Sequence, residues 1–330
     1  MTHPQETLIH LFANGRVSGE SGFPKHIETV ISNVFLFDTN VYKLYKSYNN
    51  FFNRDFSDIS ERDPRFDFVR RDFEWNHSLS PTVYREIRGV REGDVVEFVD
   101  ESDAEELVIV MDHVDSKEFL FEKLVDNALS ADDARSIGMQ LAVTMQRVRT
   151  TPVPDMRYFD VFEQRIKDAR NWLKLDPESV SVEEADAWCD YLIRFRDTHR
   201  ETFEDASSMR ILENGDIHTM NALYSGGTLN LMDTYPPKSA WTTDYEFMPM
   251  YRMATDLLAL GNEQLFDACI DGYVGAGGRI PDRTLDPVFI TYAASIAVSY
   301  LHSLARSDPT KREAAGKFHS FLRSYFASVS

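Results

Sequence analysis

Residues 214–233 read NGDIHTMNALYSGGTLNLMD, and they predict both a local fold and a chemistry. Asp216 stands five positions before Asn221, which is the spacing of a kinase-type catalytic loop. In such a loop the Asp meets the substrate hydroxyl, and the amide oxygen of the Asn holds a magnesium ion. The loop therefore predicts a phosphoryl-transfer site.

The residues that follow Asn221 predict a short β-hairpin. Ala222–Tyr224 and Leu229–Met232 are strand-like, and Ser225-Gly226-Gly227 is suited to the turn between them. The hairpin ends at Asp233, which would be the second carboxylate that bridges the metal and the nucleotide phosphates. We expect Asp216, Asn221 and Asp233 to converge on one cation.

Two simpler interpretations of this loop remain open. Asp, Asn and Gly are common turn residues, so the loop taken alone is more typical of an ordinary turn. Asp216, His218 and Asp233 could also coordinate zinc. The ordered combination with a second group of residues upstream favours phosphoryl transfer, and we interpret His218 as a residue that braces the loop.

The upstream group begins in residues 27–46, IETVISNVFLFDTNVYKLYK. Two β-rich runs are separated by Asp38-Thr39-Asn40, which predicts a hairpin whose second strand carries Lys43. A kinase needs a lysine on this strand to contact the α and β phosphates. Lys43 and Lys46 are an odd number of positions apart, so on a regular strand only one of them points inward, and we predict Lys43.

A helix is predicted from Glu61 to Leu79, where Ser80-Pro81 ends it. The helix offers Asp72 and Glu74 as acidic partners for Lys43. These two residues are two positions apart on a helix and cannot share a face. The sequence leaves the choice between them open.

Four segments resemble, in order, the blocks of the aminoglycoside-phosphotransferase-like (protein-kinase-like) superfamily. They are ETVISNVFLFDTNVYKLYK, RRDFEWNHSLSPTVY, NGDIHTMNALYSGGTLNLMD and YRMATDLLAL. The resemblance is closest to a branch of uncharacterised bacterial "aminoglycoside phosphotransferase family" proteins. It covers roughly Ile27 to Leu260.

This resemblance implies a role for each matched residue. Asp216 would be the catalytic base, Asn221 and Asp233 the magnesium ligands, and Lys43 the lysine that contacts the nucleotide phosphates. Asp256, in MATDLLAL, matches an Asp that braces the catalytic loop in the superfamily.

The sequence also departs from the family pattern. Asn214 replaces the usual His of the HGD motif, and Asp72 is one methylene shorter than the usual Glu. No glycine-rich nucleotide loop precedes Val34, because Gly19 and Gly22 come too early. These differences keep open a pseudokinase that binds a nucleotide or a protein partner without turnover.

The pattern along the chain predicts an α+β, two-lobed protein-kinase-like fold. A small β-rich N-lobe would span residues 1–114, with further strand-like runs at 82–88, 94–98 and 107–111. A larger helical C-lobe would span residues 115–330, with helices at 131–149, 158–173, 182–204, 244–260, 262–273, 287–306 and 310–327. Between the lobes, Met111, Asp112 and His113 would form a hinge whose backbone binds the adenine edge.

Composition limits the classes of function. With 330 residues, 43% hydrophobic and 27% charged, the chain is typical of a globular protein of more than one domain. The net charge of −19 argues against broad binding of nucleic acid and permits a cationic acceptor. The two cysteines provide no disulfide framework, and the first residues lack a secretion signal, so we expect a soluble, cytoplasmic protein that does not associate with membranes.

Together these features predict a kinase that uses ATP and Mg²⁺ to phosphorylate a hydroxyl of a small molecule. GTP remains an alternative donor, and a transferase that phosphorylates or nucleotidylates a protein would share every motif. Tyr235, Lys238 and Trp241 follow Asp233 and are candidate contacts to the acceptor. Neither the acceptor nor the oligomeric state follows from the sequence.

Overall fold

The computed structural model describes residues 5–29, 31–55, 57–148, 158–201, 203, 211–213, 216–235, 243–307 and 311–330. The chain forms two compact units. The N-terminal unit consists of Met1–Ser116 and Asn230–Trp241, and the helical unit consists of Lys117–Leu229 and Thr242–Ser330. Asp233 thus belongs to the N-terminal unit, although the sequence predicts it within the C-lobe. The predicted functional division at residues 114 and 115 stays a prediction.

A six-stranded antiparallel sheet forms the centre of the N-terminal unit. Its strands lie in the order β1-β2-β3-β6-β4-β5. Lys43 pairs with Val34 on one side and with Ile109 on the other, so β3 lies inside the sheet. The predicted hairpin around Asp38-Thr39-Asn40 is confirmed. The strands are Lys25–Glu28 (β1), Ser32–Leu36 (β2), Val41–Tyr45 (β3), Tyr84–Arg91 (β4), Glu97–Val99 (β5) and Glu106–Met111 (β6).

The N-terminal unit also contains the helices Glu6–Ala13 (α1), Asn50–Asp55 (α2) and Arg62–Leu79 (α3). Helix α3 agrees with the predicted helix and packs against β4 and β6. Arg65 on α3 forms a buried bidentate ion pair with Glu106 on β6, with N–O distances of 2.8 and 2.5 Å. Asp72 lies seven residues further on, on the same face of the helix, and therefore also faces the sheet.

The helical unit is built mainly from α-helices, as predicted. They are Leu120–Val125 (α4), Ala131–Arg147 (α5), Tyr158–Leu173 (α6), Val182–Thr198 (α7), Met248–Leu260 (α8), Glu263–Gly275 (α9), Asp286–Ser307 (α10) and Arg312–Val329 (α11). A capping box of Ser130 and Asp133 begins α5, because each side chain bonds the backbone amide of the other residue. The mixed α+β fold that the sequence predicts is confirmed.

Close approach of α5 and α9 depends on two glycines. A Cβ atom on Gly138 would lie 2.0 Å from the carbonyl oxygen of Cys269, and one on Gly272 would lie 2.0 Å from that of Arg135. Any larger residue at either position would force the helices apart.

Two pairs of short strands complete the described fold. Ala222–Ser225 (β8) and Thr228–Leu231 (β9) form the predicted hairpin, with Gly226 and Gly227 at φ of 55° and 79° in its turn. Ile211–Glu213 (β7) pairs with Thr243–Tyr245 (β10). The predicted start of a helix at Asp244 is therefore wrong: Asp244 pairs with Leu212, and the helix begins near Pro249, a residue suited to the first helical turn.

Helix α10 lies in a segment, Arg283–Ala305, that is long and apolar enough to cross a membrane by length and composition alone. It packs against α6, α7, α8 and α11, and 61% of its most apolar stretch is buried in the protein. A core helix has the same properties, so this segment gives only weak evidence for a membrane span.

Candidate active site

Lys43 lies in the middle of β3 and is 4% exposed. Its Nζ is 2.6 Å from Oδ1 of Asp233 and 3.6 Å from Oδ2 of Asp72. Burial by itself would lower the pKa of Lys43, but the two carboxylates outweigh burial and raise that pKa above its ordinary value. The lysine therefore carries its positive charge at every physiological pH.

Asp72, on α3, is the carboxylate that faces Lys43 from the helix. It is buried, and burial raises the pKa of Asp72 to about 6 against the opposing effect of Lys43. Its Oδ1 accepts a hydrogen bond from Nδ2 of Asn76 at 2.9 Å. Glu74, the other predicted partner, is exposed on a different face of the helix. The structure thus places Asp72, and not Glu74, beside Lys43.

Asp233 follows β9 and has a φ of 50°, in the left-handed region. Its backbone amide donates to the hydroxyl of Tyr84 at 2.8 Å. The next amide, that of Thr234, donates to Oδ1 of Asn76 at 2.9 Å. The buried side chains of Tyr84 and Asn76 thus hold the backbone on both sides of Asp233, whereas its carboxylate is 56% exposed and reaches solvent.

Lys46 is buried as well, which corrects the expectation that only one of the two lysines points inward. The residue lies just beyond the end of β3, where the alternation of a regular strand no longer applies. Its Nζ bonds Oε1 of Glu28 at 2.8 Å and also the carbonyl oxygen of Thr29. Lys46 therefore contacts the connection between β1 and β2.

The predicted hinge residues lie at and after the end of β6. Met111 pairs with Val41 on β3 and with Tyr84 on β4. The Asp112 amide donates to the carbonyl oxygen of Val83 at 2.9 Å, so this amide is already engaged and is not the donor for an adenine edge. The His113 ring bonds the carbonyl oxygen of Phe37. Binding of adenine by the remaining backbone groups of this segment stays a prediction.

Asp216 lies in the helical unit beside a positive charge that no sequence motif marks. Oδ1 of Asp216 is 2.7 Å from Nη2 of Arg252 on α8, and Oδ2 is 3.5 Å from Nε2 of His218. Burial alone would raise the pKa of Asp216, but Arg252 and His218 outweigh burial and hold that pKa well below the ordinary carboxyl value. Asp216 is therefore ionised at neutral pH.

The loop that carries Asp216 is braced from α8. Oδ2 of Asp256 accepts hydrogen bonds from the Thr219 amide at 3.1 Å and from the Thr219 hydroxyl at 2.6 Å, so the predicted bracing contact is confirmed. Nδ1 of His218 accepts from the Met220 amide at 3.3 Å, which agrees with a bracing role for His218.

Asn221 faces back toward the start of the same loop. Its Nδ2 donates to the backbone carbonyl oxygen of Asp216 at 2.8 Å. A carbonyl oxygen can only accept, so the amide nitrogen must face it and the amide oxygen points elsewhere. Asp216 and Asn221 belong to the helical unit and Asp233 to the N-terminal unit, so their convergence on one cation stays a prediction.

Three further predictions concern other residues. Among the described residues, no group of three or more His, Cys, Asp or Glu side chains is arranged to hold a metal ion, which gives no support to the zinc alternative. The Tyr235 ring packs edge-on against Phe68, with ring centroids 5.5 Å apart. Asn214, Lys238 and Trp241 lie outside the described residues.

Comparison with known proteins identifies the fold. No protein-family model matches the chain, and no curated protein matches it. A choline/ethanolamine kinase family protein from Mesorhizobium loti aligns with a TM-score of 0.50 at 15% identity, over 93% of this chain and 89% of that chain. The chain shares its fold with this choline/ethanolamine kinase family protein.

A second solved structure extends this kinase-like fold over nearly the whole chain. An amicoumacin kinase in complex with AMP-PNP, Ca²⁺ and Ami aligns with a TM-score of 0.50 at 10% identity, over 99% of this chain and 94% of that chain. At such identities the likeness concerns the fold. The roles of Lys43, Asp72, Asp216 and Asp233 must therefore rest on their own geometry.

Proposed function

We propose that this protein is a phosphotransferase that moves the γ-phosphoryl group of ATP to a hydroxyl of a small molecule in the presence of Mg²⁺. The observation that carries the proposal is the buried Lys43 ammonium, which lies 2.6 Å from Asp233 and 3.6 Å from Asp72. This arrangement, in a kinase-like fold, is suited to nucleotide phosphates. GTP remains the alternative donor.

Lys43 is the residue that contacts the α and β phosphates. Its pKa is raised, so it presents a full positive charge without having to bind a proton first. Asp72 and Asp233 approach the ammonium from α3 and from the end of β9, which restricts where Nζ can lie. A preorganised charge of this kind stabilises the transferring phosphoryl group without reorganisation during the reaction.

The donor chemistry of Asn221 and Asp233 is suited to a magnesium ion. A carboxylate and an amide oxygen are hard ligands of the type that Mg²⁺ accepts, and the Asp233 carboxylate reaches solvent. Mg²⁺ would offset charge on the phosphates when bound. The hydrogen bond from Asn221 Nδ2 to the Asp216 carbonyl would keep the amide oxygen turned toward the ion.

Asp216 is the residue that meets the acceptor hydroxyl. The acceptor oxygen would form a bond to the γ-phosphorus while the bond between that phosphorus and the β–γ bridging oxygen breaks, and the hydroxyl proton would pass to Asp216. Because the pKa of Asp216 is held low, the carboxylate is ionised and suited to orient the hydroxyl by accepting its hydrogen bond. Proton transfer would then follow as the new bond forms and the hydroxyl becomes more acidic.

A pseudokinase is the second candidate, and one observation favours it. The Asp72 carboxylate stops 3.6 Å from Lys43, beyond hydrogen-bond distance, which is consistent with a side chain one methylene shorter than Glu. A protein-modifying transferase would use the same residues. Intact-mass analysis after incubation with ATP separates these outcomes, because phosphoryl and nucleotidyl additions differ in mass and a pseudokinase adds neither.

The first test is calorimetric titration of ATP and GTP into the protein with and without Mg²⁺. Magnesium-dependent binding that is weakened in Asp233→Ala supports the proposed roles and justifies a screen of small alcohols. Asp216→Ala should abolish turnover and leave nucleotide binding largely intact. Asp58→Ala is the control, because Asp58 is an exposed carboxylate that bonds the nearby Ser60. Equal loss of nucleotide affinity in the Asp216 and Asp233 variants would contradict this division of roles.

A further inference from the structure

The Asn76 side chain connects two parts of the proposed site. It is 0% exposed, and its Nδ2 donates at 2.9 Å both to Oδ1 and to the carbonyl oxygen of Asp72. Its Oδ1 accepts from the Thr234 amide at 2.9 Å and from the Thr234 hydroxyl at 3.1 Å. One amide group thus bonds the helix partner of Lys43 and the residue directly after Asp233.

The backbone of Asp233 needs such support. The left-handed region is unfavourable for a residue with a side chain, and Asp233 adopts it with a φ of 50°. The amide before its Cα is held by the Tyr84 hydroxyl, and the amide after it by Asn76. The orientations of these two peptide planes set φ and ψ of Asp233, so Asn76 and Tyr84 together determine where its carboxylate points.

We propose that Asn76 is a positioning residue that locks the Asp233 carboxylate in the orientation required for metal binding and couples it to the Lys43–Asp72 ion pair. This inference rests on the proposed function. The role requires an amide, because one side-chain end must donate to a carboxylate while the other accepts from a backbone amide. Asp could still accept from Thr234 but would place a second negative charge against Asp72.

The geometry also predicts how far the metal affinity should fall when Asn76 is replaced. Residues that orient a metal ligand through hydrogen bonds typically change metal affinity by about 10- to 100-fold when they are replaced. Asn76→Ala removes the support on one side of Asp233, so the Mg²⁺ concentration for half-maximal ATP binding should rise about tenfold or more. Binding of ATP without metal depends on Lys43 and not on the metal ligand, so it should weaken by a smaller factor than the Mg²⁺ midpoint rises.

The test is a Mg²⁺ titration at fixed ATP, in which ATP binding is measured by calorimetry. It compares the wild type with Asn76→Ala, Asn76→Asp and Tyr84→Phe. Tyr84→Phe removes only the hydroxyl that bonds the Asp233 amide, so it should raise the Mg²⁺ midpoint in the same direction even if the Asn76 variants fail to fold. Gln5→Ala is the matched control. Gln5 is also a fully buried amide that bonds backbone groups, those of Tyr45 and Ser47, and it should lower Tm without moving the Mg²⁺ midpoint.

The results separate failure of the proposed metal site from failure of the proposed role of Asn76. A Tm that falls in Asn76→Ala and Gln5→Ala alike, with an unchanged Mg²⁺ midpoint in the Asn76 and Tyr84 variants, would show a purely structural role and overturn the inference. Wild-type protein that binds ATP without any dependence on Mg²⁺ would reject the proposed metal site together with this inference. Wild-type Mg²⁺ dependence with unaffected variants would reject the inference alone.

Discussion

At the scale of single residues, the contact between Arg252 and Asp216 determines the charge of the proposed catalytic carboxylate. Nη2 of Arg252 lies 2.7 Å from Oδ1 of Asp216 and, with His218, holds the Asp216 pKa below its ordinary value. Arg252→Met would remove the largest of the effects that lower this pKa, so the Asp216 pKa would rise. The acid limb of the kcat/KM profile should therefore move to higher pH, since a larger fraction of Asp216 is protonated and inactive in weak acid.

A pH–rate profile of Arg252→Met beside the wild type measures this shift. Arg252→Lys is the control, because it keeps a positive charge near Asp216 and should leave the acid limb closer to that of the wild type. An acid limb that stays at the same pH in all three proteins would exclude Arg252 as the cause.

Lys43 lowers the pKa of Asp72, but at this residue burial has the larger effect. The expected consequence concerns the stability of the fold. Burial already raises the Asp72 pKa to about 6, and Lys43→Met would remove the lowering effect of the ammonium. Unfolded chains ionise Asp near pH 4, while the folded variant would hold the proton to above pH 6. The contribution of Asp72 to the stability of the variant should therefore be fully present below about pH 4 and be lost as pH rises through the folded pKa.

Thermal unfolding at pH 5 and pH 8 tests this prediction. The difference in Tm between Lys43→Met and the wild type should be larger at pH 8 than at pH 5, because at pH 8 the variant must bury an unpaired carboxylate or spend free energy on protonating it. In the double variant with Asp72→Asn, which has no carboxyl group at this position, the excess pH dependence should disappear. The same loss of Tm at both pH values would contradict the assignment.

At the scale of secondary-structure elements, Lys46 holds the connection between β1 and β2. Its ammonium bonds Glu28 and the Thr29 carbonyl, and its backbone amide bonds the Ile31 carbonyl at 2.9 Å. In protein kinases a glycine-rich loop covers the nucleotide phosphates, and we predict that this connection takes that place here. Lys46→Met should weaken ATP binding about tenfold, since a hydrogen bond to a charged group is worth about 1.5 kcal/mol or more.

Nucleotide titration of Lys46→Met at saturating Mg²⁺ measures this effect, and the Mg²⁺ midpoint should stay unchanged. Lys25→Met is the matched control, because Lys25 is an exposed lysine on β1. If both variants lower ATP affinity equally, the effect comes from the change in net charge and not from the contacts of Lys46 with Glu28 and Thr29.

The elements that the sequence predicted are those with a clear periodicity. Helix α3, the hairpin of β2 and β3 and most helices of the helical unit agree within a few residues. The first β-rich run was predicted as one strand, whereas the structure divides it into β1 and β2. All four residues of β1 are exposed, so no apolar alternation marks it as a separate strand. Helix α1 was not predicted, because it is a single short helix. Its residues Leu8, Leu11 and Phe12 are nevertheless buried in the core with Phe35 and Tyr42.

The same limit applies to the site. Lys43, Asp216, Asn221 and Asp233 stand in motifs with fixed spacing, and a motif can be found in one sequence. Arg252, Asn76 and Tyr84 act through residues 36, 158 and 149 positions away in the chain, so no local pattern marks them. Their contribution depends on how α3, β4 and α8 pack, which a single sequence does not specify.

At the scale of the whole molecule, the net charge of −19 bears on the choice of acceptor. A negative field raises the local concentration of cations and lowers that of anions, and salt screens it with a Debye length of about 10 Å at 0.1 M. We therefore predict that a cationic alcohol is phosphorylated with a higher kcat/KM than a neutral alcohol of similar size. That advantage should shrink as the ionic strength rises from about 0.01 to about 0.3 M.

Paired acceptors that differ only by an amine in place of a hydroxyl or methyl group make the comparison direct, with coupled-enzyme assays of ADP release at each salt concentration. The neutral member of each pair is the control, since its kcat/KM should change little with salt. A preference for the cationic member that persists at high salt would point instead to a specific carboxylate in the acceptor site, because a short-range, desolvated ion pair is screened far less than a long-range field. Preference for an anionic alcohol would contradict attraction by the negative field. It would indicate instead that the guanidinium of Arg252, which lies beside Asp216, binds the acceptor.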